Sequence, residues 1–145
     1  MATPSTPTTS SRPRSALPSP ASLRAAAQAA AAKGEPLVVM TTLSGCPFCD
    51  LVRQTHLLPM LNAGQVVAVQ LDVQDRRSTL QSFNGVTTSP HTQTTEWNAR
   101  FAPTVMFFGP QGQELAERLV GMAVPDFYGE YLDARLVLAR QKLVK

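Results

Sequence analysis

Leu37-Val38-Val39-Met40-Thr41-Thr42-Leu43-Ser44-Gly45-Cys46-Pro47-Phe48-Cys49 is the stretch that decides the fold. Its first four residues are an unbroken, partly β-branched apolar run, the pattern of a short strand covered on both faces. Thr41 to Gly45 interrupt that run with hydroxyls and a glycine, as a strand-to-helix loop does. Pro47 suits the first turn of a helix, where its missing N–H is no loss. Two thiols three residues apart at such a junction can bond to one another. Cys46 also stands where unpaired backbone N–H groups and the helix dipole favour a thiolate. The chemistry implied is dithiol–disulfide exchange.

The rest of the composition narrows this further. The chain has 145 residues, room for one domain with a proper core, and its 43% hydrophobic content is that of a globular protein. Its two cysteines are the CxxC pair; random placement gives that spacing only about 1% of the time. A disulfide closing so small a ring adds little stability, because the entropic gain grows with loop length. A structural staple is therefore a poor reading. The net charge of +3 arises in residues 1–35, where Arg12, Arg14, Arg24 and Lys33 oppose Glu35 (4 − 1 = +3). Beyond residue 35 basic and acidic side chains balance, which argues against nucleic-acid binding. No stretch approaches the roughly 20 apolar residues of a membrane span.

Working outward, residues 1–21 are rich in Ser, Thr, Pro and Ala and are expected to be a disordered tail, leaving residues 22–145 as the domain. The tail contains no apolar core of a secretory signal, so the expectation is either a cytoplasmic protein or a trimmed secreted one. Ser22 caps an alanine-rich helix ended by Gly34 and Pro36. After the cysteines a helix is expected to run to Pro59, which bends or ends it. Gln65 to Val73 reads as a second strand, and Asp75 to Gly85 as a short helix. Val86 to Thr95 reads as a loop. Thr104 to Phe108 reads as a third strand, and Gln113 to Gly121 as a fourth, paired antiparallel to it, with helix as the competing reading because of Glu114 and Glu117. A closing helix starts at Pro125, with Phe127, Tyr131, Leu132, Leu136 and Leu138 as its apolar positions.

Strand, CPFC, helix, a later Ala102-Pro103-Thr104 at a strand start, a hairpin, and Gly121 before an amphipathic helix together resemble a thioredoxin-fold protein. Within that superfamily the chain is most similar to the secreted, thioredoxin-related SoxW and TlpA kind. The resemblance implies an α/β domain with a central mixed sheet of about four strands flanked by helices. It implies a thiol–disulfide oxidoreductase with Cys46 as nucleophile and Cys49 as resolving thiol. A reductase of periplasmic substrates is favoured, while Pro47-Phe48 between the cysteines is more similar to glutaredoxin-like and disulfide-oxidant members and leaves the direction of electron flow open. Pro103 would be a cis-proline facing the dithiol. Pro47, Phe48, Ala102 and Pro103 would then contact the substrate. Partners would be protein or peptide disulfides and a recycling redox protein; no cofactor and no metal are expected.

The chain departs from the family pattern in several places. Met40 occupies the position of the buried aspartate six residues before the first cysteine, and Gly45 that of the usual tryptophan. Gln70 and Asp72 lie where a lysine is common, so Asp72 and Glu96 are the weak candidates for a proton acceptor. Residues 78–95 look like an insertion. His56 and His91 could complete a Cys2His2 set, yet two helical turns, about 10 Å, separate His56 from the motif, and both read as surface histidines. Trp97, Phe127, Tyr128 and Tyr131 read as packing residues. The alternative function is a thioredoxin-fold metallochaperone holding Cu(I) or Zn(II) through the two thiolates.

Overall fold

The computed structural model describes residues 13–122 and 125–143. The element order is α1 (Leu23–Ala32), β1 (Leu37–Thr42), α2 (Pro47–Val52), a π-helical turn (Arg53–Leu57), α3 (Leu58–Asn62), β2 (Val67–Asp72), β3 (Leu80–Gln81), β4 (Thr87–Thr88), α4 (Pro90–Glu96), β5 (Thr104–Phe108), β6 (Leu119–Val120), a 3₁₀ turn (Pro125–Phe127) and α5 (Tyr128–Leu143). The main sheet has the order β2-β1-β5-β6. β1 pairs parallel with β2 and antiparallel with β5, and β5 pairs antiparallel with β6. The expected four-stranded mixed sheet between helices is therefore the observed one.

Because side chains alternate along a strand, the central strands feed two cores. Val38 and Met40 of β1 and Val105 and Phe107 of β5 face Cys49, Val52, Leu57, Leu132 and Leu136. Leu37, Val39, Met106 and Phe108 face Leu23, Ala27, Ala30 and Leu80 on the α1 side. Every residue of β1 and of β5 is buried, as the unbroken apolar runs require. Ser22 caps α1 by accepting the Ala25 N–H.

Several expectations are corrected. Residues 1–12 of the expected tail lie outside the described residues, but residues 13–21 pack against the domain. Leu17 is buried in the α2/α5 core, Pro18 O accepts the Gln70 N–H at 2.9 Å, and Ala21 O accepts the Gln81 N–H. Arg14 and Asn62 exchange two hydrogen bonds. The segment covers the outer edge of β2, whose unpaired backbone groups would otherwise face water.

The stretch from Asp75 is not helical. The Asp75 carboxylate accepts the N–H groups of Arg77 and Ser78, an Asx-type turn, and leads into the β3–β4 hairpin. The expected loop at 86–95 holds β4 and then α4, with Ser89 as cap and Pro90 in the first turn. Of the two outcomes expected at Pro59, bending or ending the helix, ending is ruled out, since the coil continues to Asn62. The π turn before Pro59 widens the coil, with the Leu58 N–H reaching back five residues to Arg53 O, which accommodates the proline ring inside α3. The fourth strand shrinks to Leu119–Val120 plus an isolated bridge between Phe108 and Glu114. On α5 the buried positions are Tyr128, Leu132, Leu136 and Ala139, whereas Tyr131 and Leu138, and Phe127 of the preceding 3₁₀ turn, are exposed.

Candidate active site

The loop after β1 delivers Cys46 to the head of α2. Gly45, with φ +75°, makes the left-handed turn there, a conformation strained for any other residue type. Cys46 is extended and caps α2: its Sγ accepts the Cys49 N–H at 3.1 Å. The two cysteines are joined by a disulfide, with Cα atoms 5.2 Å apart. Their surroundings differ sharply. Cys46 is half-buried at the surface, while Cys49 is fully buried among Met40, Val52 and Leu57. An outside molecule can therefore reach the first sulfur before the second.

Pro47 and Phe48 are exposed beside Cys46, with half of the Phe48 surface open to solvent. Across from them, Cys46 Sγ lies 3.9 Å from Ala102 O. The Ala102–Pro103 peptide bond is cis. Pro103 is buried, and Phe101, just before this turn, is 65% exposed. The structure thus brings Cys46, Cys49, Pro47, Phe48, Ala102 and Pro103 to one end of the sheet.

Two residues that hold this arrangement are not evident from sequence. Thr41, buried at the end of β1, donates its hydroxyl to Phe101 O at 3.2 Å and accepts the Thr104 N–H at 2.8 Å. It pins the 101–104 turn opposite the cysteines. The only signal was a hydroxyl ending an apolar run. The second is Arg53, whose side chain is buried although it is charged. It donates to Thr42 Oγ1 at 3.1 Å, Gln70 Oε1 at 3.4 Å and Asp50 Oδ1 at 3.4 Å. Its backbone N–H bonds to Cys49 O, placing it one turn below the buried cysteine.

Met40, fully buried, sits directly beside Gln70 in the β1–β2 register, so this pair carries no acid. Asp72 is half-buried at the end of β2, and its carboxylate accepts the Gln74 N–H. Glu96 ends α4; Trp97 and Ala99, just after it, pack in the α1-side core, across the sheet from Cys49. The histidines are half-buried rather than free on the surface. His56 packs its ring on Tyr128, centroids 5.3 Å apart, and burial holds its pKa below the ordinary histidine value although Asp133 opposes the shift. His91 lies on α4. Among the described residues no group of three His, Cys, Asp or Glu side chains is arranged to hold a metal ion. Trp97 packs against Phe108 and Phe83, which also touch each other, and Tyr128 is buried. Phe127 and Tyr131, expected to pack as well, face solvent. Among the described residues no helix is long and apolar enough to cross a membrane.

Comparison with known proteins agrees with this architecture. Residues 23–135 match the family described as Thioredoxin-like domain. No curated protein sequence matches. Among solved structures, oxidised thioredoxin O2 from Arabidopsis thaliana superposes with a TM-score of 0.54 at 19% identity, covering 86% of this chain and 99% of that one. A poplar thioredoxin h gives a TM-score of 0.51 at 16% identity, covering 74% of this chain and 82% of that one. A thioredoxin from Nicotiana alata gives 0.51 at 17% identity, covering 88% and 99%. At such identities these similarities carry the fold, and the match over residues 23–135 carries the family. The chain belongs to the thioredoxin-like domain family, as a thiol–disulfide oxidoreductase.

Proposed function

We propose that the protein reduces disulfides in protein substrates, with Cys46 as attacking nucleophile and Cys49 as resolving thiol. The observation that carries this reading is the contrast between a reachable Cys46 and a fully buried Cys49 already bonded to it. In the reduced protein the Cys46 thiolate attacks one sulfur of the substrate disulfide. That bond breaks, a mixed disulfide forms, and the departing substrate sulfur leaves as a thiolate and takes a proton from solvent. Cys49 then loses its proton and attacks Cys46 Sγ. The intramolecular disulfide forms, the second substrate sulfur departs, and two electrons have passed from protein to substrate. An external dithiol reductase must return them for the next cycle.

Phe48 and the Ala102–Pro103 turn flank Cys46 on two sides. The reading gives them the substrate: the peptide lies extended along Ala102, with apolar side chains against Phe48. Resemblance to the SoxW and TlpA kind supports a periplasmic setting for those substrates, and cell fractionation tests it directly.

Insulin reduction followed by turbidity tests the function. Wild type is expected to be active and Cys46→Ser inactive; full activity in the variant would end the proposal. The midpoint potential tests the direction of electron flow. A value near that of thioredoxin, about −270 mV, agrees with a reductase, and one as oxidising as DsbA, about −120 mV, overturns it.

A further inference from the structure

We propose that Arg53 is a positioning residue for the resolving step: its buried guanidinium holds Cys49 in readiness as a thiolate, in a site where no carboxylate among the described residues is buried to take the proton. The inference rests on the roles given above to the two cysteines.

The argument starts from burial. Arginine is seldom taken out of water unless its donors are met, yet Arg53 is only 9% exposed. Two of its side-chain partners are neutral, Thr42 Oγ1 and Gln70 Oε1. The third, Asp50, keeps 74% of its side chain in solvent, so its charge is largely screened where it could offset the guanidinium. A desolvated cation with so little compensation projects its charge into the adjoining core. That core contains Cys49, one helical turn away on the same chain; residues four apart on a helix place their Cβ atoms about 5–6 Å from each other. Val38, Met40 and Thr42 alternate onto the sheet face that Cys49 packs against, and Thr42 holds the guanidinium at the end of that face.

Other charges facing this place are few. β1 offers only Met40 and Thr42, and α2 only Asp50. β2 offers Gln70 and, at its end, Asp72, whose carboxylate is engaged with Gln74 N–H. The turn after Arg53 carries His56, whose pKa burial holds below the ordinary histidine value, and α5 carries Asp133, which opposes that shift. Segment 13–21 meets Gln70 through a backbone carbonyl. Arg53 is thus the one buried charge in this shell of described residues. Among the described residues no buried carboxylate stands ready as base, so ionisation of Cys49 is favoured by the cation, which lowers the cost of the anion, and the proton ends in bulk solvent.

The experiment measures the upper of the two macroscopic thiol pKa values of the reduced protein by thiolate absorbance, together with the rate of mixed-disulfide resolution against pH. Arg53→Gln and Arg53→Met are expected to raise the upper pKa by about one unit, a roughly tenfold fall in Cys49 thiolate, and to shift the pH profile of resolution by the same amount. Arg53→Lys, which keeps the charge and loses the fork, should stay near wild type. A purely structural role would lower thermal stability in all three variants and leave the upper pKa in place, and that result overturns the proposal. Equal upper pKa values in Arg53→Lys and Arg53→Gln overturn it as well, and this pair decides if Arg53→Met does not fold. Wild type without exchange activity would instead sink the function proposed above.

Discussion

Leu17→Ala tests whether the chain ahead of α1 belongs to the folded domain. Leu17 is 4% exposed and joins the core shared by Cys49, Leu57 and Leu136. Removing a buried leucine side chain costs about 2–5 kcal/mol, the transfer free energy of the lost methyl and methylene groups plus a cavity contribution. Leu17 lies on a segment without helix or strand, which can partly resettle, so the lower part of that range applies, ~2–3 kcal/mol. In a domain of this size 1 kcal/mol moves Tm by about 4 °C, giving a drop of roughly 8–12 °C. The same segment supplies Pro18 O to the Gln70 N–H, and Gln70 Oε1 accepts from Arg53, so loosening it should also speed amide exchange at Gln70. Thermal unfolding by circular dichroism, with the exposed neighbour Ala16→Gly as control, makes the measurement. A Leu17→Ala Tm within about 1 °C of wild type would show that the segment does not contribute to the core.

Cys49→Ser should accumulate mixed disulfides with substrate proteins, visible on non-reducing gels, because attack by Cys46 goes on and resolution cannot; a pattern like that of wild type would contradict the assigned roles. Stability should fall as pH drops from 7 to 5, partly through His56. Its folded pKa lies below the unfolded value, so neutral His56 favours the fold above pH 6.5 and that contribution is lost as the pH falls through its folded value. The Tm of His56→Gln should change less over this range than that of wild type. Gly112→Ala should destabilise by at least about 1 kcal/mol, since φ is +85° and a Cβ would stand 2.8 Å from the Phe83 ring. Phe83 packs on Trp97, so Trp97 fluorescence should report the disturbance.

How much of this was legible in sequence depends on how local the determinants are. β1, the cysteine-bearing helix and β5 were readable because continuous apolar runs and a Pro at a helix start act within a few residues. The cysteine pair needed only its spacing. Leu17 was not readable, since a lone leucine among Ser, Pro and Ala gains its place only from the core that receives it. The β3–β4 hairpin has two residues per strand and is held by distant partners, Ser22 bridging Gln81 among them. α4 did carry its own signal, Ser89 as cap and Pro90 in the first turn, but its threonines read as loop. Across the 3₁₀ turn and α5 two apolar stripes overlap, Tyr128-Leu132-Leu136-Ala139 and Phe127-Tyr131-Leu138, and periodicity cannot choose which one the sheet covers. Arg53 was hidden for a related reason: a charged residue on a helix is normally read as solvated, and only the fold shows it turned inward.

The central claim is that the first sulfur is offered to the outside while the second waits behind it. Brief alkylation of the fully reduced, native protein with iodoacetamide, followed by peptide mass spectrometry, measures this directly. Cys46 should be modified many times faster than Cys49, which has no exposed surface in the fold. Equal labelling, or faster labelling of Cys49, would contradict the account.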